Sequence, residues 1–373
     1  MKILKQKQSA VDKKFLLGII LLVAVGLLVL SSASVILAYQ RFGDANYFLK
    51  QQLLNGVLVG GILCYLLSRL DYHYWKKWAG VALGVAIVLL LLVFIPGVGV
   101  SLKGAHRWID IFGVSFQVSE VVKLAVIIYL AAWLDNRQER LHSWQTGVLP
   151  FLIAMAVVAG LVIIQPDIGT LAVIVAIFLS MYFVAGGSLV ALFSMIGAGL
   201  ALLYMLIKLE PYRLARFTVF LNPETDPLGI GYHIQQALIA IGTGGLWGVG
   251  LGHSRQKFLY LPEVTGDSIF AVIAEELGLV VTVLFLLVFL YVIYRGFKIA
   301  SQAPDLFGKF LVSGIMIWIS FQTIINIMAM VGLAPLTGIP LPFISAGGTA
   351  LAMLLAAVGV VLNVSRQSEK EKR

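Results

Sequence analysis

Long apolar stretches separated by short polar breaks dominate the chain. Apolar runs lie near 15–38, 51–67, 78–96, 117–134, 147–164, 168–185, 189–207, 269–294, 308–331 and 344–363. Each approaches or exceeds the roughly 20 residues that a helix needs to cross a bilayer, which predicts about ten transmembrane helices. Only Gln165-Pro166-Asp167 parts the fifth run from the sixth; a proline and a charge in an apolar background mark a turn there. The first run is longer than the roughly 7–15 apolar residues of a cleaved signal, so it reads as a retained anchor. One connection is long, from Lys208 to Ser268, and long connections in compact proteins are usually functional or disordered. Within it Ile234, Ala237, Leu238 and Ile241 recur at helical spacing before Gly242-Thr243-Gly244-Gly245. That pattern predicts a short amphipathic helix lying on the outer membrane surface. A loop folded back in this way can cover a site.

Charge sets the orientation. Lys2, Lys5, Lys7, Lys13, Lys14, Arg69, Lys76, Lys77, Arg137, Arg140, Arg295, Lys298, Lys309, Arg366, Lys370, Lys372 and Arg373 fall on one side. The short loops of the other side hold Arg41, Lys50, Lys103 and Arg107, four against seventeen. The richer side is cytoplasmic by the positive-inside rule. Segment 1–14 and tail 364–373 then lie inside, and loop 208–268 lies outside between the seventh and eighth helices. Composition agrees: 60% of the 373 residues are apolar and 12% are charged, against about 25% charged in soluble domains. The reading is an all-α polytopic membrane protein whose single membrane domain spans 1–373.

The net charge of +9 lies mostly beside apolar runs, as expected against an anionic inner leaflet, and no domain remains for nucleic acid. The lone Cys64 forms no intramolecular disulfide and reads as a packing residue. No Gly-x-x-x-x-Gly-Lys-Ser/Thr stretch is present, which excludes a self-contained ATP-driven pump.

Ionisable groups at membrane depth are costly and default to functional hypotheses. Glu120 and Lys123 share a face of the fourth span at spacing i, i+3. They form either a structural ion pair or part of an outward-facing polar cavity. Arg107, beside Trp108, either anchors the interface or clamps a phosphate with its planar fork. Arg213, Arg216, Arg255 and Lys257 add cations to the same face, with Glu210, Glu224, Asp226 and Glu263 as acids. Asp267 directly precedes the apolar run from Ile269. It reads as a helix cap or as a partly desolvated base. Of Glu275 and Glu276, at least one should bond inside the bundle. Asp167 reads as a cap, and Gln322 with Asn326 as amides joining helices. Gly248-Val249-Gly250-Leu251-Gly252 reads as a flexible turn, and the scattered histidines show no metal-ligand spacing. Acids and bases thus face a compartment without ATP. An enzyme there needs a substrate that arrives activated, such as a lipid-linked pyrophosphate; a transporter does not.

Several stretches resemble the SEDS family (shape, elongation, division and sporulation proteins). They are Gly104-Ala105-His106-Arg107-Trp108-Ile109, Gln117-Val118-Ser119-Glu120-Val121-Val122-Lys123 and Gln165-Pro166-Asp167-Ile168-Gly169-Thr170. In the long loop they are Asn222-Pro223, Asp226-Pro227-Leu228-Gly229, Leu261-Pro262-Glu263 and Asp267-Ser268-Ile269-Phe270, then Glu275-Glu276-Leu277-Gly278. Near the end they are Pro335-Leu336-Thr337-Gly338-Ile339-Pro340-Leu341-Pro342-Phe343-Ile344-Ser345 and Gly347-Gly348. The resemblance covers almost the whole chain in order, and Gly250–Lys257 is nearer the division branch (FtsW-type) than the elongation branch (RodA-type). Thr265-Gly266 replaces the common His-Thr, Ser268 the phenylalanine, and Ser345-Ala346-Gly347-Gly348-Thr349 the usual Ser-Tyr-Gly-Gly-Ser.

The resemblance implies a peptidoglycan glycosyltransferase that polymerises lipid II outside the cytoplasmic membrane, at the division septum. Its partners would be a class B penicillin-binding protein, which supplies the transpeptidase, and other divisome proteins. Asp267 aligns with the family's essential loop aspartate and would be the general base. Arg107, Glu120 and Lys123 match further motif positions, and Arg107 and Lys123, with Arg213, Arg216 and Lys257 of the loop, would bind or stabilise the anionic substrate. A divalent cation, magnesium or manganese, stays open at the pyrophosphate. A lipid II flippase and a non-catalytic divisome scaffold are the rival readings.

Overall fold

The computed structural model describes residues 11–102, 105–111, 114–209 and 211–368. Outside the described residues lie 1–10 and 369–373, with Lys2, Lys5, Lys7, Lys370, Lys372 and Arg373 of the charge argument, and also Lys103, Gly104, Phe112, Gly113 and Glu210.

Every predicted span is helical. The first is α1 (Lys13–Ala33) continued, after Ser34, by α2 (Val35–Phe42). Next come α3 (Tyr47–Arg69), α4 (Ala79–Leu92), α5 (Val118–Asn136), α6 (Trp144–Ile164), α7 (Ile168–Val184) and α8 (Leu189–Leu209). The long connection carries α9 (Pro211–Leu221) and α10 (Ile230–Gly244). The chain closes with α11 (Ile269–Ser301), α12 (Leu306–Met330) and α13 (Gly348–Gln367). Helices α1, α3, α6, α8, α11, α12 and α13 are long and apolar enough to cross a membrane, while α4 and α7 are shorter apolar helices. Helix α5 carries Glu120, Lys123 and Asp135, yet most of its residues are buried. The chain is a multi-pass helical membrane protein.

Aspartates start three of these helices by accepting orphan backbone N–H groups. Asp12 accepts from Phe15 N, Asp167 from Thr170 N, and Asp305 from Gly308 N. Helix α12 is the hub, packed against α5, α7, α10, α11 and α13. Its face includes Phe310, Leu311, Ile315 and Trp318, all 1% exposed or less. Helix α13 packs along α3, and α11 along α1.

Three features depart from the sequence reading. A small antiparallel sheet, β1 (Gly99–Leu102), β2 (Ala105–Ile111) and β3 (Val114–Gln117), in the order β1-β2-β3, occupies the loop before α5. In the sequence, polar and apolar residues alternate along these strands and two residues separate each from the next, a hairpin signal. Helix α10 turns Ile234, Ala237 and Ala240 inward against α11 and α12 instead of toward lipid.

Thirdly, α11 is broken at Gly278, which has φ 73° and ψ 174°. That backbone region belongs essentially to glycine. The break frees backbone groups, and a buried helix must satisfy them within the protein. The stretch 245–250 does so: Val249 N and Gly250 N donate to Glu275 O and Glu276 O, while Leu279 N and Val280 N donate to Gly245 O and Leu246 O. The predicted flexible turn is therefore a docked segment, set so close that a Cβ on Gly278 would lie 2.2 Å from Gly248 N.

Candidate functional site

The half-helix 269–277 sets the position of Asp267. Residues Ile269 to Glu276 are all buried, so its start is fixed against the bundle. Ser268, not Asp267, is the N-cap residue, and its side chain makes no capping bond. The Ser268 hydroxyl instead donates to Pro262 O at 2.7 Å and meets His233 Nε2 at 2.6 Å. Asp267 thus stands one residue before the N-cap position.

Both flanks of Asp267 are clamped. Asn326 Nδ2 donates to Asp267 O and to Ile339 O, each at 2.8 Å. Ser345 Oγ donates to Gly266 O at 2.6 Å, and Ala346 N donates to Thr265 O at 2.8 Å. The predicted joining amides are thus the parts that tie Asp267 to α12 and to the last loop, 331–347.

One turn back along α12, Gln322 extends the network to α5. Lys123 Nζ donates to Gln322 Oε1 at 2.8 Å and to Glu120 Oε1 at 2.7 Å. Trp318 Nε1 donates to the same Gln322 oxygen, and Gln322 Nε2 donates to Pro340 O. The Lys123 ammonium also lies 4.9 Å from the Trp318 ring centroid. Glu120 and Lys123 are a buried pair, 1% and 2% exposed, as the i, i+3 spacing allows. They connect through Gln322 to the backbone that holds Asp267.

Arg107, on β2, pairs with Asp167, its Nε 3.2 Å from Oδ2, and its Nη2 donates to Pro166 O at 3.0 Å. Its side chain is 24% exposed, so the guanidinium is positioned yet reachable. Asp167 also accepts from Thr170 Oγ1 at 2.7 Å. A Cβ on Gly169 would lie 2.8 Å from Thr337 O, so this corner abuts the last loop too. Arg216, on α9, donates to Leu336 O at 3.0 Å.

The last loop thus gathers Arg107 through α7, Arg216 through Leu336, Lys123 through Gln322, and Asp267 through Asn326 and Ser345. Two predicted residues stand apart. Arg213, on α9, donates to Leu206 O in the last turn of α8 at 3.4 Å. Lys257 is 5% exposed, and its ammonium donates to Ser32 Oγ, Gly252 O and Glu276 Oε1. All three of its N–H groups are committed, which leaves none for a substrate phosphate and corrects its predicted role. Glu275 accepts from the Ser254 hydroxyl and Arg255 N, so both glutamates bond internally and anchor the loop to the broken helix. Sequence reasoning missed Ser254 and His233, because a hydroxyl or imidazole in a loop carries no periodic signal. Among the described residues no group of three His, Cys, Asp or Glu side chains is placed to hold a metal.

The profile of the FtsW, RodA and SpoVE cell cycle proteins matches residues 13–370. The chain is 43% identical over 363 residues to the stage V sporulation protein E of Bacillus subtilis, covering 97% of this chain and 99% of that one. It is 40% identical over 357 residues to a probable peptidoglycan glycosyltransferase FtsW of Trichlorobacter lovleyi, covering 95% and 93%. Its fold matches a chain of a peptidoglycan synthase complex that coordinates polymerization and crosslinking, with TM-score 0.79, 28% identity and coverage of 96% and 98%. It also matches the rod shape determining protein RodA of Thermus thermophilus, with TM-score 0.70, 26% identity and coverage of 97% and 99%.

Proposed function

The chain belongs to the FtsW, RodA and SpoVE family of cell cycle proteins, and from that membership we propose a reaction for the site around Asp267. The protein is a peptidoglycan glycosyltransferase that polymerises lipid II. The acceptor sugar hydroxyl attacks the anomeric carbon of a second lipid-linked sugar. A glycosidic C–O bond forms, the bond to the pyrophosphate breaks, and the polyprenyl pyrophosphate leaves with the electron pair. Asp267 takes the hydroxyl proton, a step worth about 100-fold or more in rate.

The observation that carries this reading is the clamp on Asp267. Its carbonyl and that of Gly266 are fixed by Asn326 and Ser345, so the carboxylate stands on a rigid frame at the start of a buried half-helix. Placement of this kind is what proton transfer requires. Arg107, partly exposed and oriented by Asp167, suits the charge that builds on the pyrophosphate. Lys123 acts at one remove, through Gln322. A magnesium or manganese ion at the pyrophosphate finds no ready-made cluster of ligands among the described residues, and this step is derived without one.

The site faces the outer side, and both termini are cytoplasmic. A class B penicillin-binding protein is the partner that crosslinks the strands, at the division septum with other divisome proteins. Below Lys123 the interior between α5 and α12 is closed by Val126, Ile127, Leu130, Leu311 and Ile315, none more than 0% exposed. A polar path across the bilayer, which a flippase needs, does not run there.

The test is lipid II polymerisation by the purified protein with its transpeptidase partner. Asp267→Asn is expected to slow glycosyl transfer by about 100-fold or more, with melting and partner co-purification unchanged. Activity within a few-fold of wild type would remove Asp267 as the base.

A further inference from the structure

At the end of the bundle opposite Asp267, the lower halves of α1, α3 and α13 leave a groove of about 670 Å³. Its walls are almost wholly apolar, and it runs along α1 from Lys13 to Leu27. At 1.5 Å per residue that is ~21 Å, enough to cover one leaflet's ~15 Å share of the hydrocarbon core. Gly61 opens the α3 wall, since a Cβ there would meet nothing within 4 Å.

The mouth has a different chemistry. Lys13 from the start of α1, Arg69 from the end of α3 and Arg366 from the end of α13 line the groove, Arg366 donating to Ser68 O at 3.5 Å, and among the described residues no carboxylate lines it. Two described acids lie close in sequence: Asp12 is turned to Arg295, with Nη2 to Oδ2 at 2.9 Å, and Asp71 to His73 at 2.7 Å and to Gln367 Nε2 at 3.3 Å. Ser68, also lining the groove, adds a hydroxyl that bonds back to Tyr65 O. Arg69 lies over the Tyr65 ring, 5.2 Å from its centroid, which draws its guanidinium to the groove edge. An apolar slot one leaflet deep, with the ammonium of Lys13 and the guanidinium of Arg69 at its mouth, matches an acyl chain carrying an anionic head group.

We propose that this groove is a specific site for an anionic glycerophospholipid, one acyl chain lying between α1, α3 and α13 and the phosphate resting on Lys13 and Arg69. The lipid comes from the leaflet that this basic end meets. It is distinct from the reacting lipid-linked sugars: the 20 residues of α13, ~30 Å of helix, separate Arg366 from the loop that clamps Asp267.

The full chain, delipidated in neutral detergent, is offered palmitoyl-oleoyl phosphatidylglycerol or the phosphatidylcholine with identical chains, and retention is read by native mass spectrometry. Phosphatidylglycerol is expected to be retained about tenfold better, the scale of one or two cation–phosphate contacts near a membrane surface. The double variant Lys13→Gln/Arg69→Gln should reduce it to the phosphatidylcholine level without altering the latter. Gly61→Phe fills the slot and should abolish retention of both lipids, with an unchanged melting temperature as the control for folding. Equal retention of the two lipids by the wild type would overturn the proposal. So would undiminished phosphatidylglycerol binding by folded Gly61→Phe, since the lipid would then sit elsewhere on the surface.

Discussion

Replacing Lys123 by methionine removes one charge from the least exposed ion pair in the molecule's described part, with side chains 3% and 2% exposed. The ammonium leaves three partners: Glu120 Oε1 at 2.7 Å, Gln322 Oε1 at 2.8 Å and the Trp318 ring at 4.9 Å. Glu120 Oε2 has no hydrogen-bond partner among the described residues, so nothing compensates the stranded carboxylate. Breaking a buried pair in this way costs about 3–5 kcal/mol. Replacing both charges, in Glu120→Gln/Lys123→Met, fills the same volume without burying an ion and should be close to neutral. The resulting cycle should show a coupling energy of about 3 kcal/mol or more, measured by unfolding in mixed detergent micelles. Polymerisation assays on the same proteins then separate the two roles. Stability restored without activity means that the charge serves the substrate; both restored means that the pair only packs. A cost below about 1 kcal/mol for Lys123→Met, the level of an exposed pair, would refute the low-dielectric reasoning.

Gly278→Ala forces a left-handed dihedral costing about 1–3 kcal/mol and drives a methyl into the Gly248 backbone, so a sharp loss of folded protein on gel filtration is expected. His73 lies 2.7 Å from both Asp71 and Asp305 at the basic end; burial opposes its charge, but the two carboxylates prevail and raise its pKa above 6.5. Its contribution is full below that value and fades as pH rises through the folded one, so His73→Gln should cost up to about 1 kcal/mol near pH 6 and converge on wild type in alkaline melts. For orientation, a cysteine replacing Glu224 in a Cys64→Ala background should react with an impermeant maleimide added outside, and one replacing Glu139 should not; the reverse pattern would invert the topology.

Periodicity and composition made the spans legible, because a bilayer imposes one length and one polarity on every crossing. The pair Glu120–Lys123 was legible for the related reason that charge at such depth needs a partner. Lys257 misled: a lysine in a loop between glycines looks solvated, and only the fold shows Glu276 and Ser32 closing over it. The break at Gly278 hid inside an unbroken apolar run. Its trace, the adjacent glutamates Glu275 and Glu276 in that run, was visible, but the partners that satisfy them lie some 20 residues away in sequence. The sheet before α5 left a trace in alternating positions with two-residue gaps, but strands of 4, 7 and 4 residues carry a far weaker periodic signal than an apolar run of about 20.

The broken helix and the buried charges are parts of one device. An unbroken α11 would start lower or run farther out, and its first residue would follow the helix's own register. Breaking at Gly278 uncouples the half-helix 269–277 from the long spanning segment behind it. The cost is four backbone groups and two carboxylates left in the interior. The segment 245–250 meets the former, and Ser254, Arg255 N and Lys257 meet the latter. The half-helix can then be oriented by the elements packed around it, among them α10, and α12 and the last loop through Asn326 and Ser345. A carboxylate at its start inherits that orientation and not the sway of a membrane span. Lys257, misread as a substrate contact, therefore matters to Asp267 from a distance: it holds closed the break that makes Asp267's position independent of α11.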